Sequence, residues 1–364
     1  MTNRERIVAA LACQPVDRPP LIEWLGLTAW GATLERWREE SGIADLNLAE
    51  YFGYDRGFLQ VPVDYGPFPH FEEEVYEDDG ESWTYRDWRG ITMRNRRDGN
   101  TLPDYVANPV ASPDDWERYK AERLQSGSHQ SLLAGRLERL DAFVAEASHA
   151  DRPVQVGGFP YGMFGTPRDL LGVESLLLAF YDEPQMLRDI VDTHTNLWLE
   201  LYAAVAERLD IDHIHIWEDM SGKQGSLISM PMVEDFMMPS YDRVAAFARD
   251  RGIPVISVDS DGNTDELFET MAAHGVNSFF PFEVQAGNDV VRFRTEHPGL
   301  SVWGGLDKRA LALDRTAIHR ELDRAQKLFS LGGYIVGFDH AIPPDVPWQA
   351  YRSFMNELKA IVGV

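Results

Sequence analysis

Residues 254–283 read PVISVDSDGNTDELFETMAAHGVNSFFPFE. A short apolar run, 254–258, leads into Asp259 and Asp261, then an amphipathic stretch, then a second apolar run, 278–282, which leads into Glu283. Runs this short, separated by helical patterns, read as buried parallel strands joined by helical crossovers. The unit recurs around this stretch. Further runs lie at 154–156, 214–217, 301–303 and 334–336. Between two of them Ile190, His194, Leu197, Leu201 and Val205 share one helical face. Six runs, with one or two strands earlier in the chain, predict an α/β fold of the (β/α)8 TIM-barrel type. No Gly-rich phosphate loop follows any run, which argues against a doubly wound open sheet.

The N-terminal third is less regular. Asn3 is read as the cap of a helix running to about Ala12, ended by Pro15 and the Pro19-Pro20 pair. Leu21-Ile22-Glu23-Trp24 reads as a short strand. Residues 71–98 alternate in a β-like way around Asp79-Gly80 and Arg89-Gly90, a β-hairpin excursion from the barrel. Ser112 and Pro113 open a further helix. Nothing marks a linker or a repeat, so residues 1–364 are read as one domain.

Composition narrows the function. The chain has 364 residues, 44% hydrophobic, and a formal net charge of −25. Such a surface repels phosphate backbones and anionic lipid, so neither nucleic acid nor membrane is an expected partner. Ten tryptophans and the acidic excess suit a cationic or aromatic small molecule. Cys13 is the single cysteine, which excludes an internal disulfide and a Cys-based zinc cluster. No transmembrane run or signal-peptide pattern is seen, and the expectation is a cytoplasmic protein.

The chemistry is expected where the runs end. Glu218 and Asp219 follow one run, and Asp259 and Asp261 the next. Glu283, then Asp307 and Lys308, then Asp339 and His340 follow the last three. In a barrel these ends converge on one mouth. Glu218, Asp259, Asp261, Glu283 and His340 are the catalytic candidates. Glu23, Trp24, Trp30, Asp219, Asp307, Lys308 and Asp339 are the substrate-binding candidates. Structural roles compete at several positions. Asp261 is equally suited to a turn and cap, and Asp307 with Lys308 to a rim ion pair. Of the adjacent Glu218 and Asp219, one is expected to point inward. His213 and His215 read as barrel-layer residues, and Trp24 and Trp30 suit burial as well as a pocket wall. Glycines at 262, 304, 305 and 337 are expected to admit a ligand close to the backbone.

Several stretches resemble the uroporphyrinogen-decarboxylase-like superfamily. They are Arg4-Glu5-Arg6 with Pro15 through Pro20; Trp217-Glu218-Asp219-Met220 with Gly225 through Ser229; and Pro281-Phe282-Glu283-Val284. Gly304-Gly305-Leu306-Asp307-Lys308 and Gly332 through Pro344 are two more. The resemblance implies a (β/α)8 barrel. It also implies one of two chemistries, decarboxylation of porphyrinogen acetates or methyl transfer linked to corrinoid proteins or thiols. The decarboxylases carry an Arg-rich segment after the first strand; residues 23–30 here contain no arginine. A polycarboxylate substrate without those bidentate donors is physically unattractive. In the thiol-using methyltransferases a zinc ion is held by His-x-Cys and a late Cys. Those positions here resemble Asp259, Asp261 and His340, a harder set that implies a divalent metal (zinc or a harder ion), a grip on a cationic substrate, or an acid/base pair. The first expectation is a corrinoid-linked methyltransferase acting on a small methylated substrate, its corrinoid supplied by a partner protein, assembled as a homodimer. A cofactor-free decarboxylase and a non-catalytic ligand-binding barrel are the alternatives.

Overall fold

A computed structural model describes residues 1–97, 102–124 and 130–364. Its spine is a seven-stranded sheet. The strands are β1 Leu59–Gln60, β2 Val154–Gly157, β3 His213–Trp217, β4 Val255–Asp259, β5 Ser278–Phe280, β6 Ser301–Trp303 and β7 Tyr334–Ile335. They lie side by side in chain order and every pairing is parallel. Their C-terminal ends therefore share one side of the molecule.

The hydrogen-bonded ladder is open between β1 and β7, and residues 21–29 occupy the opening. Ile22 bridges Asp55 and Ala29 bridges Ile342. Trp24 Nε1 donates to the Val336 carbonyl at 2.9 Å, and Phe338 N to the Gly26 carbonyl at 2.8 Å. The expected strand at 21–24 is thus reduced to isolated bridges. Pro19 and Pro20 offer no N–H with which to extend it, and Leu25–Leu27 turns as a 3-10 helix.

Both faces of the sheet are apolar. The outer face meets the helices in a core running from Leu21 to Val362. The helix Pro184–Ala206 contributes the whole expected stripe, with Ile190, His194, Leu197, Leu201 and Val205 buried. The inner face carries a second core of Ile22, Val255, Phe280, Trp303 and Ile335, joined by Ile7, Ala10 and Leu11 of the first helix, Asn3–Leu11. That helix is capped by Thr2 in a reciprocal box with Glu5. The Asn3 cap expected from sequence is displaced because the Asn3 amide reaches Arg56 O and Asp151 O instead.

Rings fill the inner face. Trp303 stacks on Phe280 at 5.2 Å and on Phe58 at 5.6 Å. Trp24 meets both Phe280 and Trp303 edge-on. Phe58 precedes β1 and Trp303 lies in β6, so the sheet curls until a side chain beside its first strand touches one from its next-to-last. His213 and His215 belong to this filling, as their alternation predicts. Both bond Ser257 Oγ, at 2.6 and 2.7 Å, and burial pushes both imidazoles down, His215 to about 4.

Residues 71–98 build more than a hairpin. Strands Glu74–Asp78, Ser82–Arg86, Thr92–Arg96 and Asp104–Ala107 form a four-stranded antiparallel meander. Residue 98 of the expected span lies outside the described residues. The meander is tied to the helix Gly165–Leu171 by Arg89, which binds Asp169 at 2.5 Å and Asp87 at 2.7 Å.

Trp24 supplies ring contacts and a part-buried hydrogen bond in the opening of the ladder. Trp24→Ala is expected to destabilise the fold by about 3–5 kcal/mol, read from the denaturant midpoint. A cost below about 1 kcal/mol would mean that residues 21–29 are not held through this ring.

Candidate active site

Side chains alternate along a strand, so residues two apart share a face. In β4, Val255 belongs to the inner core and Ser257 bonds the inner histidines. Asp259, the last residue of β4, therefore continues the same column toward the mouth. It keeps some solvent access yet is surrounded by protein, the combination found at the floor of a cleft. No described side chain or backbone N–H bonds its carboxyl. Burial holds that carboxyl well above the usual carboxylate range, and the charges of Asp261 and Asp219 add to the shift.

Asp261 follows on the loop, with Oδ1 sealed from solvent and without a hydrogen-bond partner. Burial and the charges of Glu283 and Asp219 push its carboxyl up to about 7; Lys308 opposes and Asp339 assists. Glu283 Oε2 accepts from Gly262 N at 2.9 Å and so braces the turn that carries Asp261. Gly262 has φ +81, and a Cβ there would stand 2.4 Å from the Ser221 carbonyl, so only glycine fits this turn.

Asp339 is fully buried, and its carboxylate accepts from Lys308 Nζ at 3.2 Å and Val284 N at 3.1 Å. Burial raises its carboxyl above the ordinary range, while Lys308 pulls it back. His340 next to it stacks on the half-exposed Trp30, rings 5.5 Å apart. Burial and Lys308 push the imidazole down, against the pull of Glu283 and Asp219. Asp261 and His340 thus respond to the same three charges, Glu283, Asp219 and Lys308. These residues form one electrostatic unit.

Other candidates are occupied elsewhere. Glu218 is wholly buried, and four donors surround its carboxylate. They are Met163 N at 2.9 Å, Phe164 N at 2.6 Å, Gly165 N at 3.1 Å and the Tyr241 hydroxyl at 2.6 Å. Burial pushes this carboxyl up; the Tyr241 hydroxyl and the three N–H groups pull it back. With donors on every side and no acceptor, Glu218 ties the loop after β2 to the end of β3 rather than meeting a ligand. Its own N–H and that of Asp219 both donate to the Asp259 carbonyl, at 2.9 and 3.2 Å. Of the adjacent pair, Asp219 is the one exposed to the mouth, and Arg168 holds both its carboxylate and its carbonyl.

Asp307 pairs with Arg309 at 2.9 Å and not with Lys308. Trp24 is partly buried and packs against the inner core. Glu23 is exposed and its charge acts on Tyr54 and Tyr351. The four glycines expected to admit a ligand instead admit protein: a Cβ at Gly304 would lie 2.4 Å from the Pro281 carbonyl, and one at Gly337 2.4 Å from Trp24. Arg168 and Tyr241 were not legible as site residues, because neither follows a strand end. Among the described residues no group of three or more His, Cys, Asp or Glu side chains could hold a metal ion. Asp259, Asp261 and His340 therefore do not fit a zinc centre in this arrangement.

Comparison with known proteins gives a family and a fold. The family model described as Uroporphyrinogen decarboxylase (URO-D) matches residues 90–361. Among solved structures, a methyltransferase from Methanosarcina mazei superposes with a TM-score of 0.62 at 17% identity, covering 98% of this chain and 99% of that one. An endo-1,4-beta-xylanase from Caldicellulosiruptor owensensis aligns at a TM-score of 0.30 and 11% identity, over 70% of this chain and 90% of that one, a likeness that carries no argument. No curated protein matches.

Two stability measurements check the geometry. Asp261 titrates near 7 in the folded chain against 3.8 for the free group, so the folded state holds an extra proton between these values. That stabilisation is complete below pH about 4 and lost as pH rises through about 7. Asp261→Asn should therefore melt above the parent at pH about 8 and with it at pH about 4; equal melting at both would place the carboxyl in solvent. Glu218→Ala strands four buried donors and should cost on the order of 3–5 kcal/mol at neutral pH, read by chemical denaturation.

Proposed function

We propose, from the premise that this chain belongs to the uroporphyrinogen decarboxylase (URO-D) family, that it is a methyltransferase acting on a small methylated substrate. The body of the enzyme in this reading is one closed (β/α)8 barrel over residues 1–364. The observation that carries the reading is the Asp259–Asp261 pair: two acids at one set of strand ends, the Asp259 carboxyl and the sealed Asp261 Oδ1 without hydrogen-bond partners, both held toward their neutral forms. The full-length fold likeness to a protein named methyltransferase agrees with it. Arg168 and Lys308 are already engaged by Asp219 and Asp339, and residues 23–30 hold no arginine. Both facts weigh against a porphyrinogen polycarboxylate, and so against decarboxylation.

In the transfer, the bond between the methyl carbon and its heteroatom breaks, and its electron pair stays on the heteroatom. The new bond forms between that carbon and an acceptor nucleophile. A corrinoid carried by a separate protein supplies such a nucleophile when bound. The heteroatom is left with developing negative charge, or with a bare lone pair in an amine. Asp261 gives its proton to that atom, and Asp259, neutral beside it, donates a second hydrogen bond. Glu283 keeps the Asp261 turn in place through Gly262 N. His340, neutral at rest, takes up a proton from solvent and passes it to the acid pair after the product leaves. A second copy of the chain is the proposed assembly.

The test is transfer from a panel of methyl ethers, thioethers and amines to a corrinoid-loaded partner protein, followed by the corrinoid absorbance. Asp261→Asn should lower kcat by about 10²–10⁴-fold without lowering Tm. The parent rate should fall as pH rises through about 7, where Asp261 loses its proton. His340→Ala should also stop turnover at nearly constant Tm. Carbon dioxide released from a porphyrinogen, with no transfer from any donor, would sink the reading in favour of a carboxy-lyase.

A further inference from the structure

We infer that a cavity between the meander and the barrel helices binds a small neutral compound, one ring in size, that carries a hydroxyl group. The cavity lies apart from the strand-end acids, and the inference rests on no reading of the reaction. Its walls come from Pro67 in the loop after β1, from Arg89 and Ile91 of the meander, and from the helices Pro113–Arg123, Gly165–Leu171 and Pro184–Ala206. The open space is about 340 Å³ including its entrance. Asp169 lines both this cavity and an outer groove of Tyr105, Asn108 and Glu174, so the two adjoin there.

The residue that points to a ligand is His194, 2% exposed and part of the cavity wall. Its Nδ1 lies 2.8 Å from the Ile190 carbonyl. A carbonyl only accepts, so Nδ1 carries the proton and Nε2 presents a bare lone pair. No described donor reaches Nε2, and protein does not seal it, so it faces the cavity. The rings of Trp116 and Trp198, each 5.8 Å away, hold the imidazole in this pose. Burial pushes it down to about 4, which keeps Nε2 an acceptor at neutral pH. Tyr119, 6% exposed, lines the same space, and its hydroxyl has no partner among the described residues. One incoming O–H satisfies both groups, donating to Nε2 and accepting from Tyr119. Pro67, Ile91 and Leu170 leave the rest of the wall apolar, which suits a hydrocarbon ring. Charge is disfavoured. Arg89 is taken up by Asp87 and Asp169, at 2.7 and 2.5 Å, so an anion finds no free cation, and a cation would enter beside the guanidinium.

The probe is phenol against toluene, its isostere without the hydroxyl, titrated into the full chain by calorimetry at neutral pH. Phenol should bind about tenfold tighter than toluene. His194→Phe keeps a flat ring beside the two tryptophans and removes the acceptor, so the two probes should then bind alike. Tyr119→Phe removes only the unpartnered hydroxyl; Tm should hold while phenol weakens several-fold. This second variant decides the matter if His194→Phe does not fold. Asp261→Asn should leave phenol binding unchanged, because the strand-end acids are no part of this wall. Benzoate and benzylamine should each bind more weakly than phenol. No phenol binding by the folded chain, equal affinity for phenol and toluene, or tighter binding of either ion would overturn the inference. So would phenol binding that survives Tyr119→Phe undiminished or is lost through Asp261→Asn.

Discussion

Carboxyl groups repel, and this fold gathers six of them, Glu218, Asp219, Asp259, Asp261, Glu283 and Asp339, on one edge. Parallel strands make that unavoidable once each run ends in an acid, because all the ends face the same way. Everything around the mouth is arranged to hold the group together. Two acids receive cations, Asp219 from Arg168 and Asp339 from Lys308. A third, Glu218, is withdrawn into the protein and surrounded by donors. The ring-filled interior beneath fixes the strands so that the remaining acids cannot splay apart. What is left uncompensated, chiefly Asp259 and Asp261, is where binding or proton transfer is worth free energy.

The sequence carried most of the fold because strand and helix periods differ so clearly after residue 153. The runs at 301–303 and 334–336 appear within a residue of their expected limits. Leu59–Gln60 escaped notice because two residues show no period. The fourth meander strand, Asp104–Ala107, is short and fully exposed, so it lacks the alternation that marks a half-buried strand. The Asn3 cap failed for a tertiary reason: two carbonyls from residues 56 and 151 claim its side chain, and Thr2 takes the cap.

At the site, position along the strand was legible and partnership was not. A residue after a strand end reaches the mouth whatever it does there. Asp259, Asp261, Glu283, Asp339 and His340 share that location as read. Glu218 has the same position and a structural task, since its partners come from the loop at 163–165 and from Tyr241, distant in sequence. Asp307 and Lys308 are neighbours in the chain but bind Arg309 and Asp339. Membership of the URO-D family adds the scaffold. The charge of the mouth comes from this chain's own side chains.

The inner core has a kinetic consequence. Ile7, Ala10 and Leu11 of the first helix, with Phe280 and Trp303 and the Trp24 ring packed against them, fill the inner face of the sheet beneath the strand ends. Whatever enters at the rim departs by the same door. Donor and departing product then queue for one passage, and an acceptor arriving over that opening traps the donor already inside. In the proposed transfer the packing therefore sets an order of addition: the small molecule goes in before the acceptor, and its product comes out after it.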